Sequence, residues 1–180
     1  MKIVTIGRGT IGGGLARLWR EAGHEVTELG RDGGDASDAD VVLVAVPGDR
    51  ISEALGKVGG LEGKTAIDAT NIMPSRHGDF PSYAEEVKSF TRGPVAKSFN
   101  MNFGRLFGEV RKQRVRPSNW YVADEDAREV TERLIHDAGY DPVRVGDLSR
   151  ARDFENAVWL LMSIDPVGGV FYRFATPGDL

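Results

Sequence analysis

The feature that most constrains this chain lies in its first dozen residues, where Lys2-Ile3-Val4-Thr5-Ile6 runs directly into Gly7-Arg8-Gly9-Thr10-Ile11-Gly12. The short β-branched run reads as a buried strand. Beyond it, Ile11, Leu15, Leu18, Trp19 and Ala22 recur at helical spacing, so 10–22 reads as an amphipathic helix that Gly23 ends. A G-x-G-x-x-G turn between a strand and a helix is the fingerprint of dinucleotide binding. Gly7 permits the tight turn, Gly9 lets the backbone approach a pyrophosphate, and Gly12 lets the helix pack closely on the strand. The free N–H groups at the helix start hold phosphate, aided by the helix dipole.

The rest of the chain alternates strands with helices. Strands are expected at 25–29, 41–46, 64–68, 95–99, 119–122 and 143–145. The run Val41-Val42-Leu43-Val44-Ala45-Val46 is the most apolar and suits a central parallel strand covered on both faces. Ile51, Ala54, Leu55 and Val58 mark a short helix. Asp126 and Glu129 read as a capping box opening a third helix, which carries Ala127, Val130, Leu134 and Ala138 and ends at Gly139. Ser149 reads as the cap of a last helix with Phe154, Val158 and Leu161 inward. The stretches 72–82 and 100–118 show the least order, and Met73–Gly78 reads as a loop exposing His77. This pattern implies a doubly wound, mostly parallel α/β sheet of Rossmann type. It forms one domain over 1–163, with a short C-terminal helical part and a tail at 164–180.

Composition narrows the function. The 23 basic and 27 acidic residues leave a net charge of -4, which argues against non-specific nucleic-acid binding. There is no cysteine, and the three histidines (His24, His77, His136) share no ligand spacing, so no metal centre is expected. The N-terminal apolar run is too short for a signal segment, and no run approaches the roughly 20 apolar residues of a membrane helix. A cytoplasmic protein with a small-molecule acceptor follows, with neither nucleic acid nor membrane as partner. Trp159, Leu160, Leu161 and Met162 make the last helix apolar all round, which fits either burial or a homodimer.

An NAD site usually places Asp or Glu at the end of the second strand, where it holds the ribose 2′-OH. Here Gly30 stands at that place and Arg31 follows. The missing acid removes repulsion against a 2′-phosphate, and the guanidinium offers it a charge-assisted partner. Both point to NADP. Only residues 30–40 link the second strand to the central one, too few for a helix and a further strand, so the adenosine side is expected to be open.

Several segments together resemble the deazaflavin (coenzyme F-420)-dependent NADP oxidoreductase family. They are Gly7–Gly12 with Leu15-Ala16, Gly30-Arg31, the Asp40–Pro47 run, Lys97-Ser98-Phe99-Asn100, Tyr121–Asp124, and the Val145–Arg152 turn. The resemblance covers roughly 1–163 and implies a Rossmann fold with hydride exchange between NADPH and an isoalloxazine-like ring, deazaflavin or flavin. It implies that Arg8, Gly9, Thr10 and Ile11 hold the pyrophosphate and that Gly30 and Arg31 face the 2′-phosphate. It further implies that Val46 and Pro47, with Ala69, Thr70 and Asn71, line the nicotinamide and its ribose. The chain departs from the family in its short segment after Arg31, which lacks a further basic residue, and in Asn100, where a histidine is common.

Hydride transfer between two bound rings needs position more than acid–base chemistry. No residue is therefore assigned a catalytic role. The carboxyl edge of the sheet collects Gly7–Thr10, Val46-Pro47, Ala69–Asn71 and Ser98–Asn102. Asn71 and Asn100 fit either a hydrogen bond to the carboxamide or the acceptor, or a turn; Asp68 fits a base or a loop-fixing group. Lys97 would be the proton donor of the alternative function, an NADPH-dependent reductase of a small carbonyl or imine, unless it is structural or exposed. A non-enzymatic NADP-binding sensor is the third reading. The basic stretch Arg105, Arg111, Lys112, Arg114, Arg116 is either a solvated face or an attraction for an anionic acceptor.

Overall fold

The computed structural model describes residues 1–71, 79–164 and 169–178. Its strands are β1 (Lys2–Ile6), β2 (Glu25–Leu29), β3 (Gly34–Asp35), β4 (Val41–Val44), β5 (Val58–Gly59), β6 (Thr65–Asp68), β7 (Val95–Ser98), β8 (Ser118–Ala123) and β9 (Asp141–Gly146). Its helices are α1 (Thr10–Glu21), α2 (Ile51–Leu55), α3 (Tyr83–Thr91), α4 (Arg128–Asp137) and α5 (Ala151–Ile164). The main sheet runs β2-β1-β4-β6-β7-β8-β9, while β3 and β5 pair apart from it. The first five strands of that order are parallel, β8 is antiparallel to β7, and β9 is parallel to β8.

The apolar run at the centre explains the layering. All four residues of β4 are buried. Val42 and Val44 enter one core with Ile51, Leu55, Val87 and Phe154 from α2, α3 and α5. Val41 and Leu43 enter the other, with Leu15, Trp19, Leu134 and Ile135 from α1 and α4. Strand alternation thus feeds two hydrophobic layers, each buried side chain worth about 1.5–3 kcal/mol. The fold is the doubly wound α/β sheet expected. Trp19 Nε1 donates to the Leu134 carbonyl at 2.9 Å and joins the two helices of the second layer.

Helix ends follow local chemistry. Gly23 takes φ +90°, and its N–H and that of His24 return to the Arg20 and Trp19 carbonyls, closing α1 as expected. Two expected caps are corrected. A 3₁₀ turn over Glu125–Ala127 moves the start of α4 to Arg128, so Asp126 sits inside the turn and caps nothing. Ser149 likewise donates rather than accepts: its N–H and hydroxyl go to the Asp147 carboxylate at 3.0 and 2.5 Å, and a 3₁₀ turn leads into α5. Those bonds hold the Asp147 carboxyl below the usual range.

Helix α3 was not foreseen, although Ser82 and Glu85 carry its signature: the Ser82 hydroxyl accepts the Glu85 N–H at 3.1 Å. Tail residues 169–178 form no helix or strand, but Tyr172 accepts the Ser118 N–H at 2.8 Å and Phe174 donates to the Ser118 hydroxyl at 2.9 Å. On α5, Leu161 is buried while Trp159, Leu160 and Ile164 are 45, 75 and 74% exposed. His77 lies outside the described residues, as does the rest of the Met73–Gly78 loop.

Candidate functional site

The glycine turn meets each geometric demand of its motif. Gly7 has φ +103°, and a Cβ there would stand 2.3 Å from the Ala45 carbonyl oxygen. At Gly12 a Cβ would stand 1.8 Å from the Gly7 carbonyl oxygen, so only glycine lets α1 come this close to β1. A Cβ on Gly9 would meet nothing within 4 Å, since that position faces open space. Helix α1 begins beyond Gly9 with no side-chain cap and no acidic residue in its first turn. Its N–H groups are therefore available to an anion, and the turn fits a pyrophosphate.

A cleft of about 920 Å³ opens beside this turn. Gly7, Arg8, Gly9, Gly30, Arg31, Val46 and Pro47 line it. Thr10, Ile11 and Gly12 stand behind the turn at the helix start, outside the lining. Ala69, Thr70 and Asn71 are also outside it, at the end of β6.

The end of β2 is shaped for a cation. A Cβ on Gly30 would come within 3.1 Å of the Arg8 Cζ, so the guanidinium lies across this glycine, where an NAD site would hold its acid. Among the described residues neither the Arg8 nor the Arg31 guanidinium has a carboxylate within 4.0 Å. The family resemblance implies a place for Arg8 at the pyrophosphate; the structure lays its guanidinium over Gly30, at the end of β2.

The opposite wall supplies cations that sequence reasoning missed. Gly34 N–H donates to the Lys57 carbonyl at 3.2 Å as β3 pairs with β5, strapping the short 30–40 link to the segment after α2. Gly33 makes this possible: with φ +76°, a Cβ there would stand 2.0 Å from the Lys57 carbonyl oxygen. The strap brings Lys57 Nζ to the Arg31 carbonyl at 3.3 Å. Glu53 holds Arg50 at 2.9 Å and Lys57 at 3.0 Å, and both cations keep its carboxyl below the usual range. Arg50 and Lys57 thus stand in the cleft that the short segment seemed to leave without a further basic residue. No local signal marks this, because β3–β5 pairing crosses more than 20 residues.

At the ends of β6 and β7 an amide pair forms. Asn71 Nδ2 donates to the Asn100 carbonyl at 2.9 Å, and Asn100 Nδ2 donates to Asn71 Oδ1 at 3.2 Å. Phe99, buried and in the left-handed region at φ +63°, turns the chain so that Asn100 faces Asn71. Asn100 Oδ1 is buried with no hydrogen-bond partner among the described residues. Such an acceptor fits an N–H donor, the group that a carboxamide presents.

Lys97 is neither exposed nor in the cleft. It is fully buried, 2.7 Å from Asp68 Oδ2 and 3.2 Å from Glu155 Oε1, so Asp68 is a charge partner and not a free base. Of the basic stretch, Arg111 is bound to Glu21 and to the Leu18 and Asp137 carbonyls, while Arg105 is exposed. Among the described residues no helix is long and apolar enough to cross a membrane, and no three His, Asp or Glu side chains gather as a metal site would need.

No protein-family model and no curated protein sequence matches the chain. Solved structures do. A provisionally assigned F420-dependent NADP reductase from Arthrobacter sp. FB24 superposes with a TM-score of 0.81 at 23% identity, over 98% of this chain and 100% of that one. A hypothetical protein from Sinorhizobium meliloti superposes at 0.64 and 23% identity, over 83% of this chain and 86% of the other. An imine reductase from Streptomyces aurantiacus superposes at 0.67 and 15% identity, over 91% of this chain but 61% of its own. At these identities the likeness establishes the fold.

Proposed function

We propose that this protein binds NADP(H) and passes a hydride between it and an isoalloxazine-like ring, a deazaflavin such as coenzyme F-420 or a flavin. The observation that carries the reading is the end of β2, where Gly30 replaces an acid and the Arg8 guanidinium lies across it beside Arg31. The two guanidiniums take the 2′-phosphate, while on the facing wall Arg50 and Lys57 share the Glu53 carboxylate. The turn at Gly7–Ile11 takes the pyrophosphate. Val46 and Pro47 lead toward the Ala69–Asn71 turn, where Asn100 Oδ1 accepts from the carboxamide. The bound nucleotide supplies the hydride; the chain orients its ring and excludes water.

The full-length match to the Arthrobacter protein supports the ring-acceptor reading. A small-imine reductase is less favoured on two observations: Lys97 is held between two carboxyls, and the chain spans 61% of the imine reductase. The proposed homodimer rests on the exposed Trp159, Leu160 and Ile164 of α5. Turnover tests the acceptor. With NADPH present, deazaflavin or flavin is expected to be reduced, and cyclic imines and small ketones are not. Imine or ketone turnover alone would favour the runner-up. Tight NADPH binding with no acceptor turned over would favour the sensor.

A further inference from the structure

The wall of the cleft opposite Arg8 carries an acid among its cations. Glu53 stands on α2, with Arg50 just before the helix and Lys57 just beyond it, and all three line the same cleft as Arg8 and Arg31. Spacings of three and four residues put such side chains on one face. Glu53 Oε2 accepts from the Arg50 guanidinium at 2.9 Å, and Oε1 accepts from the Lys57 ammonium at 3.0 Å. The same ammonium donates to the Arg31 carbonyl at 3.3 Å, so one lysine joins the carboxylate to the backbone just past Gly30. Arg50 has a second, looser carboxylate neighbour in Asp49, at 3.9 Å.

This arrangement divides the cations of the cleft in two. Arg8 and Arg31 line it and, among the described residues, pair with no carboxylate, whereas Arg50 and Lys57 already share one. The Arg50, Glu53 and Lys57 side chains are 63, 54 and 44% exposed, so charge rather than packing holds them together. Exposed pairs of this kind are worth little and yield to a stronger anion. A phosphate monoester is such an anion: near neutral pH it brings about 1.5 to 2 negative charges and three acceptor oxygens, where a carboxylate brings one charge and two oxygens. The ionised Glu53 also repels any phosphate that enters beside it.

Resting on the 2′-phosphate reading of this cleft, we infer that Glu53 is a specificity-determining residue: its carboxylate competes with the 2′-phosphate for Arg50 and Lys57, and so limits how strongly the cleft prefers NADP(H) over NAD(H). In the empty cleft the carboxylate stands where the phosphate would draw those two cations. NAD(H), with a hydroxyl in that place, takes nothing from the carboxylate and is indifferent to it. As NADP(H) leaves, Glu53 retakes both cations, so the nucleotide exchanges more readily than four unpaired cations would allow.

Glu53→Gln removes the charge while keeping the shape of the side chain and one acceptor oxygen. Calorimetric titration with NADPH and NADH at low salt compares it with wild type and with Glu62→Gln, which removes the same charge from an exposed pair with Arg92 outside the cleft. Glu53→Gln is expected to bind NADPH about threefold to tenfold tighter than wild type, with NADH nearly unchanged and Glu62→Gln like wild type. Exposed charges are screened by salt, so the gain should fade as salt rises toward about 1 M, a dependence that a merely structural change at α2 would not show. Unchanged or weaker NADPH binding by Glu53→Gln, equal tightening for both nucleotides, or the same gain from Glu62→Gln would overturn the inference. If wild type prefers NADPH and Glu53→Gln gains nothing, the inference alone falls. If wild type binds the two nucleotides alike, the 2′-phosphate reading itself falls and takes this inference with it.

Discussion

Gly12→Ala is expected to lower nucleotide affinity by at least about a hundredfold and to destabilise the fold by about 3 kcal/mol. The added Cβ would stand 1.8 Å from the Gly7 carbonyl oxygen, and the second contact is the Gly7 carbonyl carbon at 2.9 Å. Both are backbone atoms, so no rotamer change relieves the overlap. The helix must move off the strand, and its N–H groups leave the pyrophosphate position. Gly9→Ala makes the contrast: its Cβ meets no protein atom within 4 Å, so stability should hold while affinity falls. Thermal unfolding with a parallel NADPH titration separates the two. Equal stability of Gly12→Ala and wild type would show that the turn is not under this constraint.

Lys97→Met is expected to cost about 3–5 kcal/mol near neutral pH, because it strands two buried carboxyls without their cation. The cost should depend on pH in a definite direction. Glu155 already has a raised folded-state pKa, with Lys97 opposing the rise; without the ammonium it rises further. A group raised in the folded state gives stability that is full below its unfolded pKa and lost as pH climbs through the folded one. The variant should therefore approach wild type as pH falls into the ordinary carboxyl range and drop further behind it as pH rises, in denaturant unfolding. A penalty independent of pH would mean that Lys97 matters for packing alone.

The sequence carried some of this plainly and some not at all, for physical reasons. Gly7–Gly12, the β4 run and the Gly23 and Gly139 stops are local signals: each depends on neighbours within a few residues, so pattern alone exposes it. The caps misled because a 3₁₀ turn precedes both α4 and α5, shifting the helix start past Asp126 and Ser149. Helix α3 was passed over although Ser82 and Glu85 marked it, since it follows the least patterned stretch. The site's walls were half visible. Gly30 and Arg31 follow from their place after β2, whereas Arg50 and Lys57 reach the cleft only through β3–β5 pairing. The fate of Lys97 rests on register: β6 and β7 set it opposite Asp68, and α5 adds Glu155 from far along the chain. No spacing rule within one strand contains that information.

The central claim is that the end of β2 reads a 2′-phosphate, and competing titrations of NADPH and NADH against wild type, Arg8→Ala and Arg31→Ala test it most directly. The account predicts clearly tighter NADPH binding by wild type. Each substitution should weaken NADPH by about tenfold to a hundredfold, as for a lost charged hydrogen bond, and leave NADH nearly unchanged. Equal affinity of the wild type for the two nucleotides would contradict it and leave Arg8 and Arg31 as bystanders at the mouth of the cleft.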